Sequence, residues 1–135
     1  MEHCIRQRRS MRWFRDRALT EGDLGQLLWA DQDITAADGK RAVSSAGALY
    51  PLALYAVCGN VGTLASGVYG YHPAHHELLL IAAGHQREKL VARGQEWIAT
   101  VPAVICITAV FERTTAKYGN RGRGYVYMRG MLPKA

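Results

Sequence analysis

No apolar run in the sequence approaches the roughly 18 residues that a membrane-crossing helix needs, so no membrane partner is expected. The first 17 residues are polar and arginine-rich and lack the hydrophobic centre of a secretory signal, which points to the cytoplasm. Cysteine is scarce. Cys4, Cys58 and Cys106 are odd in number and far apart, which argues against a disulfide framework or a zinc site. Cys58 and Cys106 lie in apolar runs, where small core residues are found. There is no Gly-x-Gly-x-x-Gly, no Walker-type phosphate loop and no glycine-flanked hydrolase serine. His72, His75 and His76 stand beside Glu77, but in no familiar zinc spacing; they read as an exposed turn, and no metal is expected. No residue can be named as nucleophile or general base, so redox chemistry would have to come from a bound cofactor.

What is present is an ordinary globular composition, 49% hydrophobic and 21% charged, over 135 residues. That length suits one domain or a piece of one, able to bury about two thirds of its unfolded surface. The net charge of +6 is unevenly placed. Six Arg against Glu2 and Asp16 give residues 1–17 a charge of +4. Five basic and nine acidic residues give 18–112 a charge of −4, and six basic residues without an acid give 113–135 a charge of +6. A nucleic-acid binder would interleave aromatic with basic residues on one surface. That interleaving is sparse, so no nucleic acid is expected. Basic ends around a central region equally suit a small anion such as a phosphate.

Two stretches stand out. In residues 6–17, Arg8, Ser10 and Arg12 alternate and share one side if the chain is extended. The alternatives are a phosphate clamp and a solvated basic arm. In Ser44–Pro51, two hydroxyls and three tiny side chains precede an apolar run. Small residues let another object approach the backbone, so the stretch is either a tight turn into a strand or one wall of a ligand site.

The remaining pattern predicts an α+β domain with a mostly antiparallel sheet. A helix is expected over 18–31, with Thr20 as N-cap, Asp23 in the first turn and Leu24, Leu27, Leu28 and Trp29 as a buried stripe. Residues 31–40 read as a loop, and 45–50 as one or two helical turns stopped by Pro51. Residues 52–58 predict a covered central strand, 67–71 and 77–82 a hairpin, and 103–110 a second buried strand. A mixed helix over 84–97 would be anchored by Leu90, Val91 and Trp97, with Arg87 facing water. A short helix is expected over 111–118, and 125–128 begins an apolar element that the sequence does not complete.

Several motifs then agree. Arg-Arg-Ser-Met-Arg-Trp-Phe (8–14) resembles the Arg-x-Ser-x-Arg-x-Phe segment of the nitroreductase-like FMN-dependent oxidoreductases. Ser-Ser-Ala-Gly-Ala-Leu-Tyr-Pro (44–51) is similar to that family's second flavin segment, most closely in the SagB-type branch, whose dehydrogenases oxidise azoline rings in peptides. That branch usually has proline where this chain has Ser44. Leu-Leu-Trp-Ala (27–30), Gly-Val-Tyr-Gly-Tyr (67–71) and Phe-Glu-Arg-Thr-Thr-Ala-Lys-Tyr-Gly (111–119) fit the same branch in order and spacing.

The resemblance implies a nitroreductase-like fold and FMN as cofactor, with hydride transfer at flavin N5 and NAD(P)H as one source of electrons. It implies that Arg8, Arg9, Ser10 and Arg12 hold the phosphate and ribityl chain, and that Ser44, Ser45, Ala46 and Gly47 line the ring. It also implies a homodimer with the flavin at its interface and a small-molecule or peptide substrate. Residues 1–128 then form the N-terminal portion of one domain. The family pattern next has an acidic residue, a small-residue run and Gln-Asn; here the divergent tail 129–135 follows. A truncated or frameshifted member with impaired activity is therefore expected. The alternative is a non-catalytic remnant that dimerises or binds a partner through a sheet edge.

Overall fold

A computed structural model describes residues 6–32, 34, 41 and 45–131. The apolar run after Pro51 forms strand β1, Leu52–Cys58, with the predicted bounds. Strands β2 (Gly67–His72) and β3 (Glu77–Ala83) form the expected hairpin, each one residue longer than predicted. Strand β4 is Ala103–Ala109. All pairings are antiparallel, in the order β3-β2-β1-β4. β1 is thus interior, as its apolar faces required.

Helix α1, Glu21–Gln32, crosses one face of this sheet. It starts three residues later than predicted because Thr20 and Asp23 form a reciprocal cap. The Asp23 N–H donates to Thr20 Oγ1 at 3.0 Å, and the Thr20 N–H and hydroxyl donate to Asp23 Oδ2 at 3.3 and 2.7 Å. At the same end Glu21 accepts from the Thr63 hydroxyl and, at 3.0 Å, from the Thr63 N–H. Leu24 and Leu28, each 1% exposed, pack on Leu54, Ala56, Cys58 and Tyr69. Leu27 and Trp29 are not in this stripe; they are 53% and 42% exposed. The buried line keeps strict four-residue spacing, and its third member is the polar Gln32.

The hydroxyl and N–H of Thr20 hold the Asp23 carboxyl below the usual aspartate range. A lowered folded value means that this contribution is present above the ordinary carboxylate pKa. It is lost as pH falls through the depressed one. Denaturation of the wild type and of Asp23→Asn, compared from neutral pH downward, should show the wild type more stable at neutrality. The two curves should converge in acid; a constant gap would contradict the cap.

Three expectations are corrected. Residues 84–97 do not form a helix but two short 3-10 turns, Arg87–Leu90 and Glu96–Ala99. Gly84 and Gly94, at φ +92° and +80°, bound the first turn in left-handed backbone that an α-helix cannot include. Leu90 and Val91 are exposed, whereas Ile98 is buried. Arg87 does not simply face water: its guanidinium donates to the Val101 carbonyl and lies against Gly59, where any side chain would collide with it. Among the described residues β4 is not a covered strand but an edge strand, with Ile107 49% exposed.

Helix α2, Glu112–Tyr118, agrees with expectation to one residue. The apolar element begun near Tyr125 is helix α3, Arg121–Met131, which starts within residues 117–124, a run rich in glycine and basic side chains. Gly122 permits this, since a Cβ there would lie 2.8 Å from the Thr114 carbonyl oxygen of α2. No described helix is long and apolar enough to cross a membrane.

Candidate functional site

Residues 45–51 lie at the start of β1, beside the end of β4, because Leu52 pairs with Ala109. Ser45 is extended, and a single 3-10 turn follows over Ala46–Ala48. Three residues here have left-handed backbone: Gly47 at φ +65°, Ala48 at +55° and Tyr50 at +41°. Glycine adopts this freely; alanine and tyrosine do so at a cost of about 1–2 kcal/mol each. Such strain, held in place by surroundings, clusters at ligand sites. Ala46, Gly47 and Ala48 are exposed, so the turn presents an open ledge of backbone and methyl groups.

One side of the ledge is occupied. A Cβ added at Gly47 would lie 2.5 Å from the Tyr118 hydroxyl and 3.1 Å from Lys117 Nζ. Both come from the last turn of α2, where Gly119 ends the helix. Tyr118 is supported edge-on by Tyr125 of α3 at 5.2 Å. The ledge therefore has an ammonium and a phenol at its back and solvent in front. It can take a flat, anionic or electron-accepting group against its backbone. Nothing in the sequence alone gives Lys117 or Tyr118 a role. The signal was their place in the 111–119 motif, next to the helix-ending glycine.

Ser44 lies outside the described residues. Arg8, Arg9, Ser10 and Arg12 are all exposed, on a segment without regular structure. Arg9 folds back on its own arm, donating to the carbonyls of Arg6 and Arg8 at 3.0 and 2.8 Å. The arm is rooted at the far end of the β1–β4 pair. Phe14 stacks on Trp97 at 5.2 Å, and the Leu19 N–H donates to the Asn60 carbonyl at 3.1 Å, just past Cys58. Phe14, Leu19, Leu27, Trp97 and Ile105 line an apolar cavity of about 440 Å³ there. Cys58 pairs with Ala103 at that end, and Leu52 with Ala109 at the ledge end. Six strand steps separate the two, about 20 Å. Among the described residues no hydrogen bond, ion pair or ring contact joins 8–12 to 45–51 within one chain.

Burial pushes the Cys58 and Cys106 thiols up, away from thiolate reactivity. In the β2–β3 turn the His72 and His75 rings stack at 5.0 Å, and His76 Nδ1 lies 2.8 Å from the Tyr71 hydroxyl. Among the described residues no three His, Cys, Asp or Glu converge as metal ligands.

The model of the Nitroreductase family matches residues 5–129. A Methanocaldococcus jannaschii protein provisionally described as a nitroreductase is 39% identical over 131 residues, which cover 95% of this chain and 66% of that protein. A provisionally described nitroreductase of Ralstonia eutropha superposes with a TM-score of 0.74 at 23% identity, covering 93% of this chain and 56% of that one. Another from Anabaena variabilis gives 0.67 at 28% identity, covering 78% and 24%. A chain of the Escherichia coli microcin synthetase McbBCD complex, solved with truncated pro-MccB17 bound, gives 0.74 at 21% identity, covering 94% and 53%. The α+β sheet with flanking helices is thus nitroreductase-like, and the chain spans less than two thirds of the length of each of these relatives.

Proposed function

The chain belongs to the nitroreductase family, and on that premise we propose that it is the flavin-holding part of an FMN-dependent oxidoreductase of the SagB type. The observation that carries this reading is the exposed Ala46–Ala48 ledge, backed by Lys117 and Tyr118. When bound, FMN supplies hydride transfer at its N5, fed by NAD(P)H or by the substrate. Ser45, Ala46 and Gly47, with Ser44, would line the ring. At the left-handed Gly47 the absence of a side chain makes room for the Tyr118 hydroxyl and the Lys117 ammonium behind the ledge. Lys117 Nζ offers positive charge and the Tyr118 hydroxyl a hydrogen-bond donor at that ledge. Arg8, Arg9 and Arg12 would grip the phosphate as exposed fork-shaped donors, with the Ser10 hydroxyl beside them.

The arm and the ledge lie at opposite ends of one sheet, which favours a site shared across a homodimer, one protomer giving the arm and its partner the ledge. The SagB assignment rests on the Ser-Ala-Gly-Ala-Leu-Tyr-Pro run and the 111–119 motif, and it makes an azoline-bearing peptide the substrate class and the cytoplasm the compartment. On its own this segment is expected to turn over poorly. Leu79 and Ile81 share a sheet face with Tyr55 and Val57, and both remain more than half exposed.

FMN titrated into the purified chain should lose fluorescence in a saturable way, with Arg12→Ala weakening uptake. Protein that refuses FMN would favour the second reading, a non-catalytic module pairing through the exposed β3 residues Leu79, Leu80 and Ile81.

A further inference from the structure

We propose that Arg41 and Arg113 are positioning residues that lock the ledge in its ligand-ready shape through Tyr50, before any ligand arrives. The clamp stands on geometry alone; its consequence for binding rests on reading residues 45–47 as the flavin ledge.

The backbone N–H, the carbonyl, the hydroxyl oxygen and the ring of Tyr50 are each engaged. Its N–H donates to Ser45 Oγ at 3.0 Å, closing the loop around the ledge. Its carbonyl accepts from Arg113 Nη1 at 3.0 Å. Its hydroxyl accepts from the Arg41 N–H at 3.2 Å, and the Arg41 guanidinium lies 4.4 Å from the centre of its ring. Arg41 Nη1 in turn donates to Oε1 of the buried Gln32, the last residue of α1. Arg113 belongs to the first turn of α2. Tyr50 is therefore fastened to both helices that flank the ledge end of the sheet.

The fastening has a purpose that packing alone does not supply. A tyrosine at φ +41° and an alanine at +55° are disfavoured in an L-residue chain, and a short exposed turn relaxes unless something outside it fixes the geometry. Downstream, Pro51 is held in register because its carbonyl accepts from the Val110 N–H at 2.8 Å. Upstream, the ledge depends on Ser45 and Tyr50. The two arginines thus set the orientation of Gly47 toward Lys117 and Tyr118 without touching the ligand. Arg113 is exposed, so its removal deletes a donor and little buried packing.

Hydrogen exchange by mass spectrometry on the whole ligand-free chain tests this. Arg113→Ala should speed exchange in the 45–50 segment by about tenfold, the scale of one charge-assisted hydrogen bond, while β1 and β2 keep wild-type rates. Arg41→Ala should act in the same segment, and Arg113→Lys should restore most of the protection. Unchanged 45–50 rates in both alanine variants would overturn the clamp. So would a uniform rise that includes β1, since that marks a general folding role. In parallel, Arg113→Ala should bind FMN about tenfold more weakly, with Arg113→Lys between. Wild-type protein that takes up no FMN would sink the flavin reading, and the exchange rates would still judge the clamp.

Discussion

Leu28→Ala should lower the stability of the chain by about 2–5 kcal/mol, a large share of the roughly 5–15 kcal/mol typical of a domain. Leu28 is 1% exposed and packs with Leu24 on the inner residues of β1 and β2. Among the described residues α1 alone supplies the helical side of this core cluster. A cavity under it cannot be filled from a second layer of helix, and the sheet below is fixed by its ladder. Leu27→Ala, one position away, removes the same atoms from a site that is 53% exposed, and should change stability by less than about 1 kcal/mol. Urea denaturation followed by circular dichroism reads both. Equal losses would mean that α1 is rotated from the orientation described.

That pair also shows what could be read in the sequence. β1 was legible to the residue because an apolar run of strand length sits between Pro51 and Gly59. The hairpin was legible because its turn residues interrupt two apolar runs, and Thr20 because a capping residue leads a periodic stretch. The buried stripe of α1 was not. Leu27 and Trp29 look as apolar as Leu24 and Leu28, and only tertiary contact decides which line faces the sheet. Gln32 buries where a hydrophobic residue would be sought; Arg41 satisfies its carbonyl, while its amide nitrogen is buried without a hydrogen-bond partner among the described residues. Residues 84–97 misled for the opposite reason. Their charge pattern suits a helix, yet two glycines in left-handed backbone divide them. At the site, the ledge residues Ser45, Ala46 and Gly47 were legible as a small-residue run. Lys117, Tyr118 and Arg113 were not, since the last of these meets Tyr50 across 63 residues of chain. Spacing along the sequence carries no record of such a meeting.

Gly47→Val should weaken FMN uptake by well over about tenfold while leaving the fold intact. Two costs combine. A β-branched residue at φ +65° is strained wherever it stands, at a cost of about 1–2 kcal/mol or more. Here its Cβ must also displace the Tyr118 hydroxyl and the Lys117 ammonium, 2.5 and 3.1 Å away. Pushing that phenol and ammonium aside removes the donor and the positive charge that back the ledge. Gly94→Val separates these effects. Gly94 has a similar left-handed φ of +80°, but a Cβ there meets nothing within 4 Å. Both variants should lose stability in denaturant through the strained backbone, Gly47→Val more by its added clash, and only Gly47→Val should lose the flavin. If Gly94→Val weakened FMN equally, strain acting through the fold would explain both, and the ledge would have no direct part in binding. If Gly47→Val bound FMN like the wild type, the ring would have to lie elsewhere, and Lys117 and Tyr118 would no longer stand beside it.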